Sequence, residues 1–370
     1  MKRKLIFSIA CVALIACMAL WIGLTITNSS VSTISKNDSY DMYKNFSRDI
    51  FLEGDGIIVE EDLMRYPFRV CQLEGYIYIL DFHGEDNFCH IFNKNDYSHV
   101  TSFAHRGNGP EDVLQAMDMY VVNKDSIWLF DTDKREISLW GYNEPERVVV
   151  RKKAYRMKED MILSSNCTWC SDSVYYFTDK SGDSRVLKCN KDGIVKERIG
   201  SLPTRQQNKR ISNGVLAQAW NSYIKYSPNK QILVVATQLG DVIEIYNIKE
   251  GTRRVLYGPQ GEPVYETTPN GFAIPTGIMG YSDIVITDKY IYAVFHGRSF
   301  EEIIKDPHGT PDGGEYIHIY DHNGKPFCRL VLDNAIYGIC VDEENGTLMA
   351  TNVNTEEQIV VYKLPEFLFN

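Results

Sequence analysis

One hairpin grammar recurs along this chain: an apolar run, a short acidic or polar turn, then a second apolar run. It appears as SIWLFDTDKREISLWGY (126–142), SVYYFTDKSGDSRVLKC (173–189), ILVVATQLGDVIEIYNI (232–248) and TLMATNVNTEEQIVVYK (347–363). Short apolar runs bounded by Gly, Asn and Asp read as strands joined by tight turns. Grouped by four, the runs form units at 68–104, 116–151, 161–202, 219–257, 282–331 and 336–364, the last one strand short. The leftover segment 49–60, DIFLEGDGIIVE, can supply that strand. Pairing N-terminal with C-terminal strands closes a ring without an open edge. Self-similarity at this period predicts an all-β protein: a six-bladed β-propeller of four-stranded blades, its ring closed by an N-terminal strand. From residue 49 to the end no helix-length amphipathic segment with caps is evident.

The first 26 residues are a separate object. Lys2-Arg3-Lys4 is basic, and residues 5–26 carry no charge over about the length that spans a bilayer. Three readings stay open. The segment is an uncleaved signal-anchor helix, oriented by its basic residues with the body outside the cytoplasm. Or Leu14-Ile15-Ala16-Cys17 is a lipobox-like site with Cys17 as the lipidation candidate, although the residues after Cys17 stay apolar. Or it is a secretory signal cut near Thr27. All three export the body. Residues 27–48, rich in Ser, Asn and Thr, read as a flexible tether, and 49–370 as the propeller.

Aromatic residues make up 12% of the 370, as suits strands, and the net charge of −10 argues against a nucleic-acid partner. Cys71, Cys189, Cys328 and Cys340 sit inside apolar strand patterns and read as buried thiols, not a disulfide framework.

The junction between the first two units carries FAHRGNGPE (103–111). With the strands that follow, it resembles the TolB-like six-bladed propellers exported by Bacteroidetes and, more distantly, NHL-repeat propellers. Such families place a Gly-x-Gly-Pro-Glu turn between blades; here it is Gly107-Asn108-Gly109-Pro110-Glu111, with weaker echoes at 257–263 and 199–203. The resemblance implies a cell-envelope protein without an assigned catalytic site. Some six-bladed propellers are calcium-dependent lactonases, and Asp118 and Asp283 are inner-strand carboxylates here, though spacing assembles no coordinating set from them.

Arg106 and Glu111 flank the Gly-Pro turn. A Gly-rich turn can aim successive N–H groups at an anion. The competing reading gives Gly107 and Gly109 to positive φ and Pro110 to fixing the turn. The longest break in the blade pattern, 296–314, offers His296 and Arg298 as ligand-binding candidates, or is a solvated excursion with one helical turn at 300–305. A second loop, 258–277, is expected at one mouth of the channel or as an inter-blade crossing. Cys167-Thr168-Trp169-Cys170 is a lone C-x-x-C at a strand end, lacking the second ligand pair of a zinc site and the helix of a redox motif. His83, His90 and His99 are expected on different strands and faces. No catalytic constellation, metal set or cofactor motif emerges. The expectation is a membrane-tethered, non-catalytic module of the bacterial envelope that binds a protein or glycan. The alternative is a calcium-dependent hydrolase or lactonase acting in the axial channel.

Overall fold

The computed structural model describes residues 38–59, 63–158, 164, 166–205, 211–306 and 311–369. The apolar segment 1–26, with Cys17, lies outside them.

Six sheets, each built mainly from strands consecutive in sequence, follow one another around a ring. The first blade is Pro67–Leu73, Tyr76–Asp81, Asn87–Asn93 and His99–His105; the second is Ala116–Asn123, Ser126–Asp131, Glu136–Asn143 and Val148–Arg156. The third is Cys167–Ser171, Val174–Thr178, Val186–Asn190 and Val195–Ile199; the fourth is Ser222–Ser227, Ile232–Thr237, Val242–Asn247 and Thr252–Tyr257. The fifth is Tyr281–Ile286, Tyr290–Phe295, Gly314–Asp321 and Pro326–Ile336. The sixth, Ile339–Asp342, Thr347–Thr351 and Ile359–Lys363, takes Gly54–Ile57 as its antiparallel fourth strand. The expected six-bladed propeller is therefore the observed fold. The first strands of neighbouring blades touch and surround the axis.

A blade is covered on both faces, which explains why its second strand is continuously apolar. In Tyr76–Asp81, Ile77 and Ile79 pack with Met349 and Ile359 of the sixth blade. Tyr78 and Leu80, on the opposite face, pack with Ile127 and Leu129 of the second. Aspartates ending the second strands then latch the chain. Asp81 accepts the N–H groups of Arg65 and Tyr66 at 2.8 and 2.7 Å, and Asp131 accepts those of Leu114 and Gln115 at 2.7 and 3.3 Å. Each joins its blade to the segment that leads into the blade's own inner strand.

Three features depart from the sequence reading. The inner strand of the third blade is Cys167–Ser171, not 161–168. A helix, Asn213–Ala219, stands where none was expected; Ser212 caps its N-terminus, and Val215, Ala217 and Ala219 are its buried residues. The expected turn at 300–305 is indeed the helix Phe300–Lys305, with a capping box formed by Ser299 and Glu302.

The third departure is the largest. Part of the expected tether belongs to the propeller. Asp38–Met42 runs parallel to the outer strand of the fourth blade, and Asp49–Leu52 runs parallel to that of the fifth. With Gly54–Ile57 on the sixth, the N-terminal chain forms a belt around three blades. Its pairing is charge-matched: Asp38 meets Arg253 at 3.4 Å, Asp41 meets Arg254 at 2.7 Å and Asp49 meets Arg329 at 2.6 Å.

Candidate functional site

The inner strands bring four charges to one depth of the axis. Arg69, Asp118 and Asp283 are each the third residue of their strand, and Lys225 is the fourth. Arg69 Nε lies 3.5 Å from Asp283 Oδ1, and Lys225 Nζ lies 3.1 Å from Asp118 Oδ1. Both pairs skip a blade, so they cross the channel. Asp283 Oδ2 also accepts the Ile339 N–H at 3.0 Å. Burial is the largest influence on Arg69 and Lys225 and works against their charge, but the surrounding groups together, led by Asp283 for the first and Asp118 for the second, outweigh it, so both stay above their ordinary values.

On one side of this layer the axis is plugged. The hydroxyls of Tyr223 and Tyr337 lie 3.2 Å apart. The Arg69 guanidinium sits 3.8 Å from the Phe68 ring centroid and 4.9 Å from that of Tyr223. On the other side is a cavity of about 340 Å³, lined by Cys71, Tyr120, Tyr226, Val285 and Cys340 among others. Its lining includes Ser227, Pro228 and Asn229, which follow an inner strand. The pocket therefore opens on the face that carries the turns between first and second strands. It is blind at the ion-pair layer.

Asp118 and Asp283, the carboxylates that a calcium site would use, are thus engaged by Lys225 and Arg69. Among the described residues no group of three or more His, Cys, Asp and Glu side chains is arranged to hold a metal.

The residues singled out from the sequence lie elsewhere. At the Gly-Pro turn, Asp112 Oδ2 accepts the Gly109 N–H at 2.7 Å. A Cβ on Gly107 or Gly109 would stand 2.3 or 2.7 Å from that oxygen. Neither glycine has positive φ, so the expected conformational reason is replaced by a steric one. The carbonyl of Gly109 accepts from Lys134 Nζ at 2.7 Å, and that of Pro110 from Arg151 at 2.9 Å. The turn aims carbonyls at cations, and a carboxylate of its own takes the Gly109 amide. Arg106 lies over the Phe88 ring at 4.7 Å, and Glu111 is exposed.

In the 296–314 loop, His296 is buried, and burial followed by Arg298 lowers its pKa. Its Nδ1 accepts the Arg298 N–H at 3.2 Å, while the Arg298 side chain pairs with Glu315 at 2.7 Å. None of Arg106, Glu111, His296 and Arg298 is among the residues that line the axial pocket. The 258–277 loop forms a hairpin, Tyr265–Thr267 with Ala273–Pro275, whose Ala273 N–H donates to Gln218 of the helix Asn213–Ala219 at 3.2 Å. It does not line the pocket either.

Cys167 and Cys170 are free thiols on opposite faces of their strand. Cys167 packs with Tyr175 and Phe177, and Cys170 with Tyr176 and Tyr226. The histidines are closer than expected. His90 Nδ1 and His99 Nε2 both reach Ser102 Oγ, at 2.8 and 2.9 Å, because the register of the third and fourth strands sets His90 opposite Ser102. Burial, then His99, lowers the His90 pKa to about 4. Its Nε2 is 4.0 Å from Asp81 Oδ2, too far for a hydrogen bond, and Asp81 is committed to backbone N–H groups. The cluster is a hydrogen-bonded contact through Ser102, not a triad.

The sequence reading missed Arg69, Lys225, Tyr223 and Tyr337. Position within the inner strand was the available signal, since Arg69 occupies the same place in its strand as Asp118 and Asp283.

A ring of six four-stranded blades around an axial pocket defines a six-bladed β-propeller as the class. The chain belongs to the TolB-like 6-blade propeller-like family, whose model matches residues 46–344. Among solved structures it is similar to a Bacteroides fragilis protein described as exported, at 13% identity and a TM-score of 0.56 over 88% of this chain and 99% of that one. It is also similar to a member of the DUF4221 family from Bacteroides vulgatus, at 11% identity and a TM-score of 0.54 over 85% and 97%. At such identities the likeness is one of fold. No curated protein matches the chain.

Proposed function

We propose that this propeller is a non-catalytic binding module of the bacterial cell envelope, tethered to the membrane by its N-terminal segment, that receives a protein or glycan in the axial pocket. Lys2-Arg3-Lys4 followed by the uncharged segment 5–26 supports export and tethering, and the similarity to a Bacteroides protein described as exported supports export alone. The observation that carries the binding reading is the pocket itself: about 340 Å³, blind, open to one face, with Arg69, Asp283 and Lys225, three members of the two ion pairs, in its lining. Those pairs cancel in charge, so the floor favours neither a cation nor an anion. The walls contributed by Tyr120, Tyr226 and Val285 offer apolar surface. A neutral group with one apolar face, such as a sugar ring or a polar side chain of a protein loop, suits that combination.

Val285→Trp would fill the pocket without touching either ion pair. Glycan arrays and pull-downs from envelope extracts, run with wild type and this variant, test the reading. The expected result is a partner retained by wild type and lost at least about tenfold by the variant, at equal folded content. Blank arrays together with pull-downs that do not differ between the two would overturn it.

A further inference from the structure

We infer that Cys71 and Cys340 form a disulfide that joins the first blade to the sixth at the seam where the ring closes. Cys71 lies on the inner strand of the first blade and Cys340 on that of the sixth, and these two strands pack side by side. Cys340 Sγ reaches across the seam to accept the Gln72 N–H at 3.3 Å. That places it beside the residue adjoining Cys71. Each thiol shifts the titration of the other, as groups that face one another across the seam do. Both sulfur residues line the axial pocket and are partly accessible, so a small reagent can reach them from the open face. Cys89, Cys167, Cys189 and Cys328 are buried.

The hydrogen-bond pattern assigns the order of events. Cys340 Sγ accepts the Gln72 N–H at 3.3 Å, a bond that favours its thiolate, and its thiol is shifted down while burial beside it shifts that of Cys71 up. Cys340 is therefore the first thiolate. It attacks one sulfur of an oxidant of the organic disulfide class and displaces the other sulfur as a thiolate, which takes up a proton. Cys71 then loses its proton to solvent and attacks Cys340 in the mixed disulfide, forming the Cys71–Cys340 bond and releasing the second thiol. Two cysteine thiols are oxidised by two electrons, and one external disulfide is reduced to two thiols.

The bond rests on the export reading above only for its formation in cells, since an exported chain meets an oxidising compartment. Its consequence is structural. Non-covalent seams close a propeller ring, and this link would tie the first blade to the last across nearly the whole chain.

The full chain, purified in detergent, is equilibrated with oxidised and then with reduced glutathione and digested under non-reducing conditions for peptide mass analysis. The expected product under oxidation is a cross-linked peptide pair containing Cys71 and Cys340, with Cys89, Cys167, Cys189 and Cys328 still reactive after unfolding. Oxidation should raise the unfolding midpoint by about 5 °C in wild type and not in Cys71→Ser or Cys340→Ser. Folded wild type that yields only separate glutathione adducts, or no cross-link, overturns the inference. Thiol trapping in intact cells is the second arm. A pair that cross-links in vitro but is trapped reduced in cells leaves the pairing standing and overturns the export reading instead.

Discussion

Glu244 and Arg253 meet at 2.6 Å with neither side chain exposed, and Arg185 of the third blade reaches the same carboxylate at 2.6 Å. Tyr246 donates to it as well, at 2.8 Å. Arg185 further donates to the Trp220 carbonyl and Ser222 Oγ, and Arg253 to the Ser201 carbonyl, so one buried carboxylate organises the junction between two blades. Arg253 also holds Asp38, so the belt hangs on the same network.

Glu244→Gln should therefore destabilise the protein by about 3–5 kcal/mol, because it leaves the buried Arg185 without its counter-charge and Arg253 with only the longer contact to Asp38. Burial alone would raise the Glu244 pKa, but Arg185 and Arg253 hold it below the ordinary carboxylate value. A depressed folded pKa contributes stability that is complete above the unfolded value of about 4.3 and lost as pH falls through the folded value. Urea unfolding of wild type should show this loss below about pH 4, and Glu244→Gln should lack that component.

Asp241 should behave in the opposite sense. Burial raises its pKa from 3.8 to about 6, against hydrogen bonds from the Gln260 amide, Tyr281 and Tyr43. A raised folded pKa means that the native state binds the proton more tightly than the unfolded chain. The associated stability is full below about pH 4 and disappears as pH rises through about 6, a span worth about 2–3 kcal/mol. Tyr43 belongs to the belt and also bonds Tyr320 at 2.8 Å, so the titration is coupled to how firmly the belt sits. Asp241→Asn should flatten the stability profile between pH 4 and 6.5 in thermal melts. An unchanged profile would show that Asp241 is not the titrating group.

The blades were legible because their hairpins join short apolar runs of strand length across turns that carry Gly, Asn and Asp. The spare strand was legible from the incomplete sixth unit. The belt was not. Asp38–Met42, DSYDM, has no aliphatic alternation, and it pairs through Asp38 and Asp41 with arginines more than two hundred residues away. The site divided in the same way. Asp118 and Asp283 could be read as inner-strand carboxylates from local pattern, but their engagement by Lys225 and Arg69 depends on which blades face each other across the axis. At the Gly-Pro turn the positive-φ reason read from the sequence does not hold, because the atom that excludes a side chain there belongs to Asp112 and not to the backbone.

Lys225 and Asp118 allow the pocket floor to be separated from the fold. Their side chains keep 21% and 13% exposure, so solvent softens the cost of breaking the pair. Lys225→Met should cost about 2 kcal/mol and Asp118→Asn a similar amount, while the double variant should recover at least half of the sum. Chemical denaturation of all four proteins measures the coupling, and strictly additive losses would mean that the two side chains do not interact.

Gly107 offers a discriminating test of how the inter-blade turn works. If positive φ were its reason, any side chain would be strained there whatever its neighbours. The observed reason is the 2.3 Å approach of a hypothetical Cβ to Asp112 Oδ2. Gly107→Ala should then cost about 1–2 kcal/mol, because the carboxylate must move and release the Gly109 amide it accepts at 2.7 Å. Asp112→Ala should cost about 1 kcal/mol through that same lost hydrogen bond. In the double variant the obstruction is gone and the hydrogen bond is already absent, so its cost should fall near that of Asp112→Ala alone. The coupling, read from unfolding midpoints, should be favourable and close to the whole Gly107→Ala penalty. Additive penalties would return the turn to a backbone explanation and free the Asp112 carboxylate for another role.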